Sequence, residues 1–136
     1  MKAEISVMLN VRDVKRSMEF YQNLGFDVRW ESPGEDGRLD YAGVGIGGAV
    51  IALGRIWEGE GSGSYDDYQA WVKGPLGGGV IINVELRAVE KLYAKAKKAR
   101  VKIESGLRTW PYGKAFTIND PDGYVVKFLR PRGVFA

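Results

Sequence analysis

Phe116-Thr117-Ile118-Asn119-Asp120-Pro121-Asp122-Gly123-Tyr124 reads as the end of one strand, a tight reversal and the start of the next. Proline presets its own φ and glycine tolerates the backbone angles of a reversal, so Asp120-Pro121-Asp122-Gly123 is a turn. Alternation on either side predicts strands near 114–119 and 124–130. Upstream, Gly79 to Arg87 reads as a strand, and a further strand is expected near 101–105. Between them Val89, Leu92, Tyr93 and Ala96 recur at helical spacing. The second half of the chain is therefore a strand, a helix and three strands.

The first half has the same order. Ile5 to Val11 alternates as a strand, and Asp13 is placed to cap a helix. Val14, Met18, Tyr21 and Leu24 make that helix's apolar stripe, and Gly25 is its C′ residue. Strands near 26–32, 38–44 and 48–54 follow, separated by turns such as Pro33-Gly34-Glu35-Asp36-Gly37. Subtracting 75 maps Leu86 onto Val11, Val89 onto Val14, Ile103 onto Val28, Phe116 onto Tyr41 and Val126 onto Ile51. One constant offset across both halves predicts an internal repeat. The expected class is α+β, two tandem βαβββ modules forming a curled mixed sheet around a concave cavity. The 136 residues are expected to form a single domain, with module 1 over about 1–54, a linker over 55–78 and module 2 over about 79–132. The linker, with Trp57, Tyr65, Tyr68 and Trp71, is too long for an idle connection and too aromatic for disorder.

Composition narrows the chemistry. The chain is 45% hydrophobic and 27% charged, ordinary values for a soluble globular protein. It has no Cys and no His, so thiolate and imidazole metal sites and Ser-His or Cys-His nucleophiles are excluded. Only an oxygen-ligand site for Mg²⁺, Ca²⁺ or Mn²⁺ stays open. No apolar run is long enough to span a membrane. Met1-Lys2-Ala3-Glu4 carries charge where a signal peptide would be apolar, so a cytoplasmic protein is expected. The net charge of +3 is mild. The densest basic run, Lys95, Lys97, Lys98, Arg100 and Lys102, reads as a solvated face, and no nucleic-acid partner is expected.

The repeat, with Val11-Arg12-Asp13-Val14 before Phe20-Tyr21, then Leu24-Gly25-Phe26, and the stretch Phe116 to Tyr124, resembles the vicinal oxygen chelate superfamily. That group includes glyoxalase I, fosfomycin-resistance enzymes, extradiol dioxygenases and bleomycin-resistance proteins. Pro111-Tyr112-Gly113 looks most like the bleomycin-resistance branch, where an aromatic at the position of Tyr112 helps to hold the drug. The resemblance implies a homodimer with a ligand on the concave face. It also implies metal ligands on the first, fourth, fifth and eighth strands, and here those positions are Ser6, Ala52, Ile81 and Lys127. Ile and Ala offer no lone pair and a lysine cation repels a metal. The metal-dependent activities of the family are therefore not expected, and no cofactor is. A bleomycin binder is implied to be acidic, whereas this chain is mildly basic.

Alternation along the strands assigns faces. Met8 and Asn10 share the phase of Ser6, Asn83 and Glu85 that of Ile81, and Val125 and Leu129 that of Lys127. All are expected to point inward with Ala115 and Thr117, while Tyr41 and Phe116 are expected outward beneath the helices. The ligand-binding set read this way is Trp30, Trp57, Tyr65, Tyr68, Trp71, Asn83, Trp110, Tyr112, Thr117 and Lys127. Aromatic faces bind planar ligands by stacking and cations by their quadrupole. Each aromatic taken alone also suits a core, and each Asn a strand-end backbone partner. Three roles are open to Lys127: an ion pair with Glu85 or a solvated end, a contact to an anionic or carbonyl ligand, and chemistry as a base or Schiff-base amine. Acidic Glu58, Glu60, Asp66 and Asp67 fit either a solvated loop or the attraction of a cationic drug. The leading expectation is a metal-free protein that sequesters an aromatic or hydrophobic small molecule at a dimer cleft. A metal-independent lyase or isomerase using Lys127, and a structural module without ligand, are the competing readings.

Overall fold

A computed structural model describes residues 1–56 and 76–133. It contains β1 (Val7–Val11), α1 (Val14–Asn23), β2 (Asp27–Pro33), β3 (Leu39–Ile46), β4 (Ala49–Arg55), β5 (Ile81–Glu85), α2 (Val89–Lys98), β6 (Ile103–Trp110), β7 (Gly113–Asn119) and β8 (Val125–Pro131). The class is α+β, built as two tandem βαβββ modules. The chain divides into two compact units that follow these modules closely. The first sheet has the order β1-β4-β3-β2 and the second β5-β8-β7-β6. In each, the outer pair β1·β4 or β5·β8 is parallel and the rest is antiparallel. No helix among the described residues is long and apolar enough to cross a membrane.

Local chemistry sets the helix ends. The Asp13 carboxylate accepts from the Arg16 backbone N–H at 3.0 Å, the N-cap bond expected of it. At the other end Phe26 N–H donates to Tyr21 O at 3.0 Å around Gly25, whose φ is 107°. That is the Schellman closure glycine favours. Helix α2 ends in the same closure, Val101 N–H to Ala96 O at 3.0 Å, but the left-handed residue is Arg100 at φ 58°. Lys95, Lys97 and Lys98 in its last turn face solvent, where they complement the helix dipole.

One face of each sheet is buried. In the first unit Leu9, Val11, Ala42, Val44, Ile51 and Leu53 are all buried. In the second, Phe116 and Phe128 lie at 5.1 Å between ring centroids and Tyr93 of α2 packs on Phe116 at 5.0 Å. Truncating such a buried Phe to Ala costs about 3–5 kcal/mol. Asp120 locks the turn before β8: its Oδ1 accepts from the N–H groups of Asp122 and Tyr124, each at 2.9 Å. Gly123, at φ 94°, closes the turn by donating to Asp120 O.

The repeat holds, with one correction. Phe128 and Leu53 are equivalent at an offset of 75, and so are α2 and α1. The core partner of Phe128 is Phe116, and that of Leu53 is Ala42, so the third strand matches at 116 − 42 = 74. Tyr41 therefore does not take the place of Phe116. It lies on the face opposite the core, is 41% exposed, and approaches Gly54 and thus the side of Met8. The slip arises in the lengths of the segments on either side of the strand, bulges and turns together. The segment from Val28 to its partner Val44 is one residue longer than that from Ile103 to Ile118. The link from Gly45 to Val50 is one shorter than that from Asn119 to Val125. A one-residue slip inverts every side chain of a strand.

Two arginines at equivalent repeat positions, Arg55 and Arg130, close the sheet ends. Arg55 bonds Asp36 at 2.9 Å and Asp40 at 3.3 Å. Arg130 bonds Glu90 at 2.7 Å, and Lys114 joins at 3.3 Å. Hydrogen bonds from Arg130, its own backbone and Lys114 hold the Glu90 carboxyl down from 4.5 to about 2. Those from the backbone and side chain of Arg38, with Arg55, hold Asp36 down from 3.8 to about 2.

Two outcomes follow for stability. A carboxylate whose folded pKa is depressed contributes stability that is complete above its unfolded pKa and lost as pH falls toward the folded one. The melting temperature should therefore fall as pH drops from about 4.5 to about 2, and Glu90→Gln should make that fall shallower in pH-dependent thermal melts. Arg100→Gly relieves a left-handed arginine and should raise stability by roughly 0.5–1 kcal/mol in urea denaturation, whereas Gly25→Ala should lower it.

Candidate functional site

Register decides which side chains share the uncovered face of each sheet. In the second unit Asn83, Lys127, Thr117 and Ser105 form one cross-strand row. They lie in the alternate phase to the buried row Val84, Phe128 and Phe116, so they point away from α2. Ile81, Val125, Glu85, Leu129 and Ala115 share their phase, as the alternation predicts. In the first unit the equivalent row is Met8, Ala52, Gly43 and Trp30. One uncovered face is thus apolar along this row and the other is polar.

Glycines explain how the first face is built. A Cβ on Gly43 would fall 2.1 Å from the Trp30 ring, so the indole lies flat on bare backbone. A Cβ on Gly45 would likewise meet the Arg29 guanidinium at 2.5 Å. The register shift between Val28 and Trp30 brings these neighbours to the same side, as a bulge does. Trp30 remains 45% exposed.

The second face carries the aromatic hairpin. Strand β6 runs to Trp110, beyond the 101–105 expected, and pairs with Gly113 across a two-residue turn of Pro111 and Tyr112. Trp110 therefore sits on a strand and not in a loop. A Cβ at Gly113 would meet the Arg130 carbonyl oxygen at 2.3 Å, so only glycine lets β7 come this close to β8. Arg132 N–H donates to Tyr112 O at 2.8 Å and ties the turn to the end of β8.

Within this frame Trp110 and Tyr112 stack, with centroids 6.0 Å apart and planes 9° from parallel. Lys127 Nζ donates to Tyr112 Oη at 2.9 Å and lies 4.5 Å from the ring centroid. Of the roles open to Lys127, pairing with Glu85 is not the geometry found. The Arg108 guanidinium lies 4.8 Å from the Trp110 ring centroid. Each contact of this kind is worth about 0.5–1 kcal/mol at an exposed site. Behind the hairpin, Trp110, Lys114, Arg130, Pro131 and Arg132 help to line a cleft of about 370 Å³.

Of the residues read from sequence, Trp110, Tyr112 and Lys127 come into direct contact, with Thr117 and Asn83 beside Lys127 in register. Trp30 belongs to the first unit's face. Trp57, Tyr65, Tyr68 and Trp71 lie outside the described residues, as do the acids Glu58, Glu60, Asp66 and Asp67. Sequence reasoning missed Arg108 and Tyr41. Arg108 stands two residues before Trp110, in the same strand phase, and that spacing was the available signal.

At the positions where the resemblance implies metal ligands, the side chains do not make a donor set. Ala52 and Ile81 have no donor atom, and Lys127 presents an ammonium hydrogen bonded to a phenol. Among the described residues no group of three or more His, Cys, Asp or Glu is placed to hold an ion.

No protein of curated function matches the chain by sequence. Solved structures do match in fold. TioX from Micromonospora sp. ML1 is 19% identical with a TM-score of 0.73, over 96% of this chain and 99% of that one. TnmS3, an antibiotic binding protein from Streptomyces sp. CB03234, is 21% identical with a TM-score of 0.65, over 96% and 98%. A glyoxalase/bleomycin resistance protein/dioxygenase superfamily member from Sphaerobacter thermophilus DSM 20745 is 21% identical with a TM-score of 0.69, also over 96% and 98%. At these identities the likeness shows the fold alone. The family model for the Glyoxalase/Bleomycin resistance protein/Dioxygenase superfamily matches residues 5–128, and with the paired βαβββ modules this establishes that the chain belongs to that superfamily.

Proposed function

We propose that this protein is a metal-free binder of the bleomycin-resistance type, sequestering an aromatic small molecule on the face that carries Trp110, Tyr112 and Lys127. One observation carries the reading. The position where the family's enzymes place a metal-binding carboxylate holds Lys127, and its Nζ engages an aromatic hairpin instead. Stacked rings with an exposed edge give a planar ligand a surface for dispersion and quadrupole contacts. Asn83 and Thr117, in register with Lys127, supply the few polar groups that orient a ligand. The fold shared with an antibiotic binding protein, TnmS3, agrees with this reading.

Trp30, Trp57, Tyr65, Tyr68 and Trp71 complete the proposed binding set, in one functional domain of 136 residues. The proposed assembly is a homodimer. Met8, Trp30, Tyr41 and Ile81 are large, apolar and 41–58% exposed, and a second copy of the chain would cover them. A chain without cysteine suits the reducing cytoplasm.

Thermal-shift and Trp-fluorescence titration against planar aromatic antibiotics tests the proposal. At least one compound should raise the melting temperature, while Ni²⁺, Zn²⁺ and Mn²⁺ leave it unmoved. Tyr112→Ala should weaken binding roughly fivefold, corresponding to about 1 kcal/mol for a lost aromatic contact. A clear metal-induced shift would overturn the metal-free reading. Light scattering should give twice the 15.1 kDa chain mass, and a monomer at micromolar concentration would remove the dimer.

A further inference from the structure

The geometry points to a ligand of definite charge: an aromatic acid, carrying a carboxylate or phenolate beside its ring, and not a cationic drug. This rests on the binding reading above and adds the sign of the ligand to it.

Both aromatic rings of the hairpin already carry cations of the protein's own. Lys127 Nζ lies 4.5 Å from the Tyr112 centroid, and the Arg108 carbon between its three nitrogens lies 4.8 Å from that of Trp110. The ring quadrupole that would attract a cationic ligand is therefore engaged, and the engaging charges repel one. Lys114, Arg130 and Arg132 line a cleft at the end of these strands, where Lys114 and Arg130, in the α2-facing phase, add positive charge from the other side of the sheet. Glu90 neutralises part of this, bonding Arg130 at 2.7 Å and Lys114 at 3.3 Å from the helix side. Arg108 and Lys127 have no carboxylate partner among the described residues, and the partner Lys127 does have is a neutral hydroxyl.

That hydroxyl is a weak acceptor for an ammonium. A carboxylate accepts a shorter and stronger hydrogen bond than a phenol does. An aromatic acid stacked on the hairpin can take the Nζ proton of Lys127 in place of Tyr112 Oη, while its ring remains on the aromatic surface. Thr117, the cross-strand neighbour of Lys127, offers a hydroxyl donor beside the same oxygen position. An ammonium-bearing ring gains the stacking alone and meets two cations that have no carboxylate partner among the described residues, Glu85 being the one carboxylate in the strand phase of Lys127 on the neighbouring β5. No covalent step is involved.

Calorimetric titration of the full chain with 2-naphthoate, 2-naphthylmethanol and 2-naphthylmethylammonium tests the charge preference at constant ring size. The carboxylate should bind at least about tenfold more tightly than the ammonium, with the alcohol between them. The carboxylate's advantage should shrink as salt is raised. Lys127→Gln, which keeps a hydrogen-bond donor and removes the charge, should abolish most of that advantage, and Lys127→Arg should restore part of it. An ammonium that binds as tightly as the carboxylate overturns the charge preference and leaves the binding reading standing. If none of the three binds, the hairpin is not a ligand surface and both inferences fall together.

Discussion

The pair Phe116–Phe128, sealed by Tyr93, fixes the chemistry of the second sheet. Strands have a side-chain period of two, so burying these rings under α2 obliges Thr117 and Lys127 to face the other way. Asn83 and Leu129 follow through the pairing of β8 with its neighbours. Arg130, in the buried phase, is carried to the sheet end, where Glu90 receives it. The ion pair closes the core without needing to contribute much stability, since exposed pairs are weak. Placement of the polar row is thus a by-product of where the apolar row must go.

Much of this was legible in the sequence because periodicity survives in it. Asp13, Gly25 and Asp120-Pro121-Asp122-Gly123 announce their caps and turns by residue type, and each makes the bonds its chemistry predicts. The common phase of Asn83, Thr117 and Lys127, on the face away from α2, followed from alternation and held. Tyr41 did not, since alternation is reliable within a strand but its phase is set by neighbouring turns, whose lengths a constant offset conceals. The extent of β6 was hidden too. Ser105-Gly106-Leu107-Arg108 lacks clean alternation, and the strand is held there by pairing with β7 across register shifts. That pairing is a tertiary fact, invisible in a local window.

The site shows how a fold can retain its frame while changing its chemistry. Where the resemblance implies metal ligands, this chain holds Ser6 just before β1, and Ala52, Ile81 and Lys127 on β4, β5 and β8. None is strained or orphaned, and Lys127 has a phenol partner from the hairpin. Gly113 is the quiet requirement, because without it β7 could not approach the Arg130 carbonyl and Tyr112 would not be carried to the lysine.

The displaced third strand has a consequence for how such proteins diversify. One extra residue before β3 and one fewer after it leave both neighbouring strands in their original phase. A compensated insertion and deletion on either side of a strand can therefore exchange the entire inner and outer complement of that strand at a stroke. Retooling a binding face then needs no gradual replacement of core residues, only small ones such as Ala42 and Gly43 that tolerate either side of the sheet.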